Sequence, residues 1–274
     1  MRTSEACEFA GCPADRCMIL ESYPGQVQCT QPAASAAHPT PVAEFTPTDP
    51  VRAAVDAQDR AEADRALDAQ RRPAQVLSFF GVAPGQRVAD LFAGTGYTTE
   101  LIARVVGPEG HVWAQNNAFV LDRFAREPLG ARLERLGAAH VEVAQTEFDA
   151  PIPEGATELD AVIFVLAYHD TVWMNADRAA MNRQIFEALR PGGVYGIVDH
   201  AAADGRGVQD AQTLHRIERD VVIREALAAG FEFDGELDLL RNADDTRDWD
   251  ASPRAAGERR GTSDRFVLRF VKPG

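Results

Sequence analysis

The chain has 274 residues, a formal net charge of −14, and a hydrophobic content of 45%. This composition allows a sizeable core, but the excess of acidic residues argues against sequence-independent binding to nucleic acid or to an anionic membrane surface. No stretch approaches 18 consecutive apolar residues, so the sequence predicts no bilayer-spanning segment. The single lysine, Lys272, lies two residues from the end, which disfavours Schiff-base chemistry.

The N-terminal segment is predicted to be a disordered tail over residues 1–50. Its four cysteines are Cys7, Cys12, Cys17 and Cys29, and their spacing differs from that of paired zinc ligands. Residues 30–50 are rich in Pro, Ala and Thr, a composition that cannot offset the entropy of ordering. The apolar run Cys17–Leu20 is too short for a secretory signal, so we expect a cytoplasmic protein.

An ordered domain is predicted over residues 51–274. It begins with a charged helix over 51–72 and a short helical turn over 75–80. A buried strand at 87–92, a glycine loop, a helix over 97–106 and a strand at 111–115 then follow in order. Strand, glycine loop, helix and strand in this order are typical of a βαβ unit in a parallel sheet.

The alternation of helices and strands continues to the C-terminus. We predict helices over 121–136, 175–189 (with Asn175 as N-cap) and 214–229, and strands over 140–145, 159–166, 194–198, 231–240 and 265–272. The loop 241–260 is rich in Arg and Asp and is predicted to be a solvated or ion-paired lid. The pattern predicts a Rossmann-like, doubly wound α/β domain, mostly parallel with an antiparallel C-terminal edge strand.

A ligand site is predicted at the end of the first sheet strand. Gly94 and Gly96 leave the backbone and the following helix N-terminus open to a ligand, and Asp90 lies just before them. A dinucleotide fingerprint would place a third glycine at Thr99 and an acid at Asn116, so a nucleotide-dependent oxidoreductase is disfavoured.

Two motifs in this domain resemble those of a known superfamily. The segment Val88-Ala89-Asp90-Leu91-Phe92-Ala93-Gly94-Thr95-Gly96 resembles motif I of the class I S-adenosylmethionine (SAM)-dependent methyltransferases, and Leu189-Arg190-Pro191-Gly192-Gly193-Val194 resembles their signature before the fifth strand. The resemblance runs from Gln70 to the end of the chain. Within the superfamily the chain is most similar to a group of predicted bacterial methyltransferases of unassigned substrate, through the segments 168–170, 198–200, 213–216 and 264–268.

The resemblance implies SAM as cofactor and a set of residues that bind it. Asp90, Gly94 and Gly96 would line the methionine end, Asn116 would contact the ribose, and Glu147 or Asp149 would lie near the adenine. Phe92 replaces the glycine usual in motif I, and Tyr168 would lie beside the cofactor. Arg71 and Arg72 would either contact the SAM carboxylate or remain solvated.

The expected chemistry is in-line methyl transfer to an oxygen, nitrogen or sulfur nucleophile of a small molecule. His169, Asp170 and His200 follow the fourth and fifth sheet strands, and a histidine there would serve as general base or as a structural hydrogen-bonding residue. A metal held by Asp170, Asp199, His200 and His215 is an alternative that requires these side chains to converge. The alternative function is a catalytically silent SAM-binding sensor or scaffold.

Overall fold

The structure is a computed structural model that describes Cys17–Leu20, Gln26–Cys29 and residues 45–274. Residues 1–38 form one unit, in which β1 (Cys17–Leu20) and β2 (Gln26–Cys29) pair antiparallel with Cys17 opposite Cys29. These strands lie within the segment predicted to be disordered. Cys7, Cys12 and most of the predicted linker lie outside the described residues.

The second unit begins with three helices, α1 (Asp49–Val55), α2 (Glu62–Arg71) and α3 (Pro73–Phe79). The single helix predicted over 51–72 is wrong, because the chain turns between α1 and α2. The buried Arg60 stabilises this turn by donating to the Val55 carbonyl at 2.6 Å and to the Asp68 carboxylate at 2.7 and 2.9 Å. Arg72 ends α2 in the left-handed region (φ 47°), directly before Pro73, which disfavours helical geometry in its predecessor.

A seven-stranded sheet follows. Its strands are β3 (Arg87–Leu91), β4 (His111–Asn116), β5 (Val141–Gln145), β6 (Leu159–Val165), β7 (Leu189–His200), β8 (Glu232–Leu237) and β9 (Arg265–Val271). Their order is β5-β4-β3-β6-β7-β9-β8, with β9 antiparallel to both neighbours and the other pairs parallel. The predicted fold class is confirmed, although β9 lies one position in from the edge. Chain direction across the sheet reverses between β3 and β6, where ligands bind in such folds.

The remaining helices flank the sheet: α4 (Tyr97–Val106), α5 (Arg126–Leu136), α6 (Asp170–Trp173), α7 (Arg178–Ala188) and α8 (Arg219–Ala228). A helical turn at Ala118–Val120 and a π-helical turn at Leu121–Ala125 lead into α5. None of the helices in the described part of the chain is long and apolar enough to cross a membrane.

Two predicted helix starts are wrong. The N-cap of α7 is Asp177, whose carboxylate accepts from the Ala180 amide at 2.9 Å, whereas Asn175 lies before the helix with φ 54°. Helix α8 begins at Arg219 instead of 214, because the preceding residues form turns and the buried guanidinium of Arg216 bonds outside the helix.

The core lies on both faces of the sheet, and β9 shows the alternation clearly. Phe266, Leu268 and Phe270 face one cluster, which includes residues of α7 and α8. Val267 faces the other cluster, which includes residues of α1, α3 and α4. The strand is therefore buried on both faces, and five of its seven residues are accordingly apolar.

The carboxylate of Glu100 on α4 joins three arginines. It is buried, and it accepts from Arg104 at 2.8 Å, from Arg132 at 2.6 Å and from Arg135 at 2.7 Å. Arg132 also pairs with Asp64 of α2. This ion-pair network therefore ties α2 and α5 to the helix that follows the glycine loop.

The loop predicted to be a lid is anchored from beneath by a buried ion pair. Arg216 and Asp245 have fully buried side chains and pair at 2.8 Å. Arg216 also donates to the Ala201 carbonyl at 3.0 Å and the Trp249 carbonyl at 3.1 Å. The loop is therefore better described as ion-paired than as solvated. The Arg216–Asp245 pair also fixes the position of His215, the residue next to Arg216.

Candidate functional site

A cavity of about 240 Å³ lies at the carboxyl ends of β3, β6 and β7. The chain segments after these strands meet there with α2 and the loop after residue 241. The lining residues are Arg71, Asp90, Phe92, Ala93, Gly94, Thr95, Tyr97, Thr98, Val165, Leu166, His169, Asp170, His200, His215, Ser252 and Pro253. Six of the predicted site residues are brought together here: Asp90, Phe92, Gly94, His169, Asp170 and His200.

The glycine loop after β3 adopts a conformation that suits glycine. Gly94 and Gly96 have φ of 56° and 87°, and a Cβ on Gly96 would lie 2.6 Å from Cδ1 of Leu129. Asn116, at the end of β4, accepts from the Gly94 amide at 2.8 Å and donates to the Gly94 carbonyl at 3.3 Å. The buried side chain of Asn116 therefore holds this loop. It does not line this cavity or the second cavity described below, so the predicted ribose contact has no geometric support.

Asp90 is 1% exposed at the end of β3. Burial raises its pKa from 3.8 to about 7, against the opposing effect of the hydrogen bond that Thr99 Oγ1 donates at 2.6 Å. The described residues supply no cation to its carboxylate at hydrogen-bond distance. A buried carboxyl of this kind would bind a positively charged ligand group and become ionised on binding.

A second cavity, of about 360 Å³, lies beside the ends of β4 and β5. Glu147 and Asp149 both line it, as the predicted adenine contacts would, together with Asn117, Phe119, Phe148 and the segment 173–176. Phe92 lies between the two cavities, because it lines the first and its ring centroid lies 5.1 Å from that of Phe148, which lines the second. Its φ of 54° is unusual for a bulky residue.

His169 is bonded by carboxylates at both ring nitrogens. Nδ1 lies 2.7 Å from Asp199 Oδ1, and Nε2 lies 3.2 Å from Asp170 Oδ1. Burial disfavours a charged ring, but the two carboxylates outweigh it and raise the pKa of His169 to about 10. Because carboxylates only accept, both ring nitrogens are donors in this arrangement. That argues against His169 as the group that takes up a proton.

The other two histidines of the cavity have different partners. His200 Nδ1 is hydrogen-bonded to Ser263 Oγ at 2.7 Å, and burial, together with the nearby charge of His169, holds its pKa well below its usual value. His215 Nδ1 lies 2.9 Å from Asp250 Oδ1. His215 has φ of 52° and lies directly before Arg216 in the chain.

Tyr168 does not join the other predicted residues. Its side chain is fully buried, and its hydroxyl donates to Glu225 at 2.7 Å and accepts from Asn182 at 2.8 Å, away from both cavities. Gly96 does not line the cavity either; it is the N-cap of α4.

Sequence reasoning missed several residues that support the site. Gln115 accepts from the Phe92 amide at 3.0 Å and donates to the Thr146 carbonyl at 2.8 Å, so it couples the ends of three strands. Asn117 caps the following helical turn through Val120 at 2.9 Å and lines the second cavity. An Asn before a helical segment is a recognisable capping signal, whereas nothing in the sequence links Asp250 or Ser263 to distant histidines.

Comparison with known proteins finds methyltransferases by sequence and the methyltransferase fold by structure. No protein-family model matches the chain. A protein-L-isoaspartate O-methyltransferase from Methanothermobacter thermautotrophicus is 30% identical over 90 residues, 32% of this chain and 42% of the relative. The ubiquinone/menaquinone biosynthesis C-methyltransferase UbiE of Vibrio campbellii is 31% identical over 113 residues, 41% of this chain and 40% of the relative. The matched region thus spans about two fifths of these relatives.

Solved structures match over most of the chain. A SAM-dependent methyltransferase from Aquifex aeolicus aligns with a TM-score of 0.55 and 16% identity, covering 77% of this chain and 95% of that structure. This protein has the class I methyltransferase fold. A putative sarcosine dimethylglycine methyltransferase from Galdieria sulphuraria aligns with a TM-score of 0.56 and 18% identity, covering 84% of this chain and 92% of that structure. These structures show the fold, and together with the curated methyltransferase relatives they confirm the resemblance to class I SAM-dependent methyltransferases.

Proposed function

We propose that this chain is a SAM-dependent methyltransferase that transfers a methyl group to an oxygen, nitrogen or sulfur nucleophile of a small molecule. The observation that carries the proposal is the position of Asp90 beside the Gly94 loop, in a cavity that three histidines also line; Asp90 is buried, and the described residues supply no cation to it. The two sequence relatives described above, both named methyltransferases, support the same activity.

The two neighbouring cavities would hold the two halves of SAM. In the first, Asp90 would accept from the methionine ammonium. Arg71 lines the same cavity, where its guanidinium lies over the Tyr97 ring at 4.5 Å, and it would bind the methionine carboxylate. In the second, Glu147 or Asp149 would accept from the adenine amino group, and Asn117 takes over the ribose contact expected of Asn116.

The chemistry requires alignment and removal of a proton. An in-line displacement at the sulfonium methyl transfers that methyl with its bonding electrons left on sulfur, and the acceptor loses its proton to a base. We assign the base to His200, because its ring lines the cavity and its Nδ1 is bonded to a hydroxyl instead of a carboxylate. His169 and Asp170 line the same cavity and would orient the acceptor.

A small acceptor agrees with the net charge of the chain and with the volume of the cavity. A net charge of −14 would repel nucleic acid, and a cavity of about 240 Å³ leaves room for a compact group beside the methionine end of SAM. The relatives are named for a protein and a quinone pathway, so their names do not assign the acceptor.

Calorimetric titration of the full chain with SAM and with S-adenosylhomocysteine tests the cofactor. We expect micromolar binding that is lost in Asp90→Ala and unchanged in Asp234→Ala, an aspartate on β8 that pairs with Arg269 and does not line the cavity. Absence of binding by folded protein would reduce the likeness to one of fold alone.

Turnover tests the acceptor class. Methyl-labelled SAM is incubated with the low-molecular-mass filtrate of a bacterial extract and, separately, with the retained protein and RNA. Release of S-adenosylhomocysteine with the filtrate alone supports a small acceptor, and label in the retained fraction refutes it. Binding of SAM without turnover in either fraction would favour a silent sensor.

A further inference from the structure

His169, Asp170 and His215 form a group with the donor set of a metal centre. One ligand atom from each residue lies within 4.8 Å of the others. Two imidazoles and one carboxylate are ligands that divalent first-row transition ions prefer. Ligands at about 2.1 Å from one ion are about 3 to 3.5 Å apart, and His169 Nε2 and Asp170 Oδ1 are already separated by 3.2 Å.

The second ring nitrogen of each histidine is held by its own carboxylate. Asp199 bonds His169 Nδ1 at 2.7 Å, and Asp250 bonds His215 Nδ1 at 2.9 Å. Carboxylate–histidine pairs of this kind orient imidazoles that ligate metals through the opposite nitrogen. The nitrogen left to bind a metal is therefore Nε2 in both histidines, and in His169 an ion would replace the proton that Nε2 donates to Asp170 at 3.2 Å.

Other residues fix the carboxylate of Asp170 and the position of His215. Asp170 Oδ1 accepts from Trp173 Nε1 at 2.8 Å, which fixes the carboxylate. Asp250 belongs to the loop anchored by Asp245 and Arg216, and Arg216 is the neighbour of His215. His215 and Asp170 have side chains 27% and 13% exposed, so the group is accessible from the cavity.

We propose that His169, Asp170 and His215 bind a divalent first-row transition ion in the cavity of the proposed active site. This set differs from the one considered from sequence, because Asp199 orients His169 and His200 is bonded to Ser263. The ion would hold the acceptor's oxygen or sulfur as a Lewis acid, a use that rests on the proposed function, whereas the binding site itself does not.

Titration with Co²⁺ tests the site through the visible absorption of the bound ion. The protein is the full chain, dialysed against a chelator, with all four cysteines replaced by serine because thiolates would compete for the ion. We expect one equivalent to bind. His215→Asn and Asp170→Asn should abolish binding at concentrations that saturate the parent, and Asp250→Asn should weaken it about 10- to 100-fold.

His140→Gln is the matched control, because this histidine bonds the Ala103 carbonyl at 3.0 Å and lies outside both cavities. His215→Asn is the decisive variant, since its side chain is partly exposed and asparagine tolerates the left-handed backbone at this position. Circular dichroism verifies that each variant is folded.

No Co²⁺ binding by the parent, or equal binding by the parent and folded His215→Asn, would overturn the proposal. SAM titration of the same metal-free samples separates this result from the proposed function. SAM binding without Co²⁺ binding removes the metal site alone, and Co²⁺ binding without SAM binding removes the methyltransferase alone.

Discussion

Replacing Asp90 with asparagine should stabilise the protein against unfolding at neutral pH while abolishing SAM binding. The pKa of Asp90 rises from 3.8 to about 7 on folding because its carboxyl is buried. A carboxyl with a raised folded-state pKa contributes stability that is fully present below its unfolded pKa and is lost as the pH rises through the folded pKa. The native state is therefore penalised progressively between about pH 4 and pH 7.

The size of this penalty follows from the two pKa values. At 1.36 kcal/mol for each unit of pKa, the change from 3.8 to about 7 corresponds to about 4 kcal/mol. Asparagine avoids the charge but leaves a buried amide N–H₂ to be satisfied, which costs about 1 to 3 kcal/mol at every pH. We therefore expect Asp90→Asn to be more stable than the parent by about 1 to 3 kcal/mol above pH 7.

Urea unfolding followed by tryptophan fluorescence, repeated from about pH 5 to pH 8, measures this difference. The difference in unfolding free energy should rise by about 1.4 kcal/mol per pH unit up to about pH 7 and then level off. When the effect of Asp90→Asn is measured in a Thr99→Val background, the pH at which the difference levels off should be higher. The reason is that the Thr99 hydroxyl donates to the ionised carboxylate and so lowers the pKa of Asp90. A pH-independent difference would refute the assignment of a raised pKa to Asp90.

Four further variants test the glycine loop, the ring of Phe92 between the two cavities, and the ion-pair network. Gly96→Ala should lower the unfolding free energy by about 3 kcal/mol, because a Cβ there meets Leu129 at 2.6 Å, whereas Gly94→Ala has free space and should cost about 1 kcal/mol in urea unfolding. Phe92→Gly should relieve about 1 kcal/mol of backbone strain but lose about 2 kcal/mol of ring packing. Calorimetry should show tighter SAM binding, because removal of the ring opens space between the two cavities. Weaker binding would mean that the ring contacts the cofactor. Glu100→Gln should cost about 3 kcal/mol, because three arginines lose a buried partner, and a loss below about 1 kcal/mol in urea unfolding would mean that solvent compensates them.

Much of the architecture could be predicted from local pattern. The strands Arg87–Leu91 and Leu159–Val165 and the helix Tyr97–Val106 were recognisable because burial and periodicity are written into short segments. Helix starts were predicted less well. Asp177 rather than Asn175 caps α7, and the helix over 51–72 is broken by the contacts of Arg60, neither of which a single periodic pattern distinguishes.

Which residues reach the candidate site depended on strand order more than on residue type. The carboxyl ends of parallel strands meet at one edge, so the pattern was enough to place Asp90, Gly94, His169 and His200 together. The pattern did not show that Tyr168 lies outside the candidate site, with its hydroxyl bonded to Glu225 in the core. It also did not show that Asn117 lines the second cavity.

The hydrogen-bond partners of the histidines are the part that the linear chain did not reveal. Asp199 with His169, Ser263 with His200, and Asp250 with His215 join residues 30, 63 and 35 positions apart. Such pairs form only when the sheet and the loop anchored by Arg216 have folded, because the side chains must converge from separate elements. Periodicity reports which face of an element is buried, whereas the protonation and ligand chemistry of a histidine depend on the atoms within about 3 Å of its ring nitrogens.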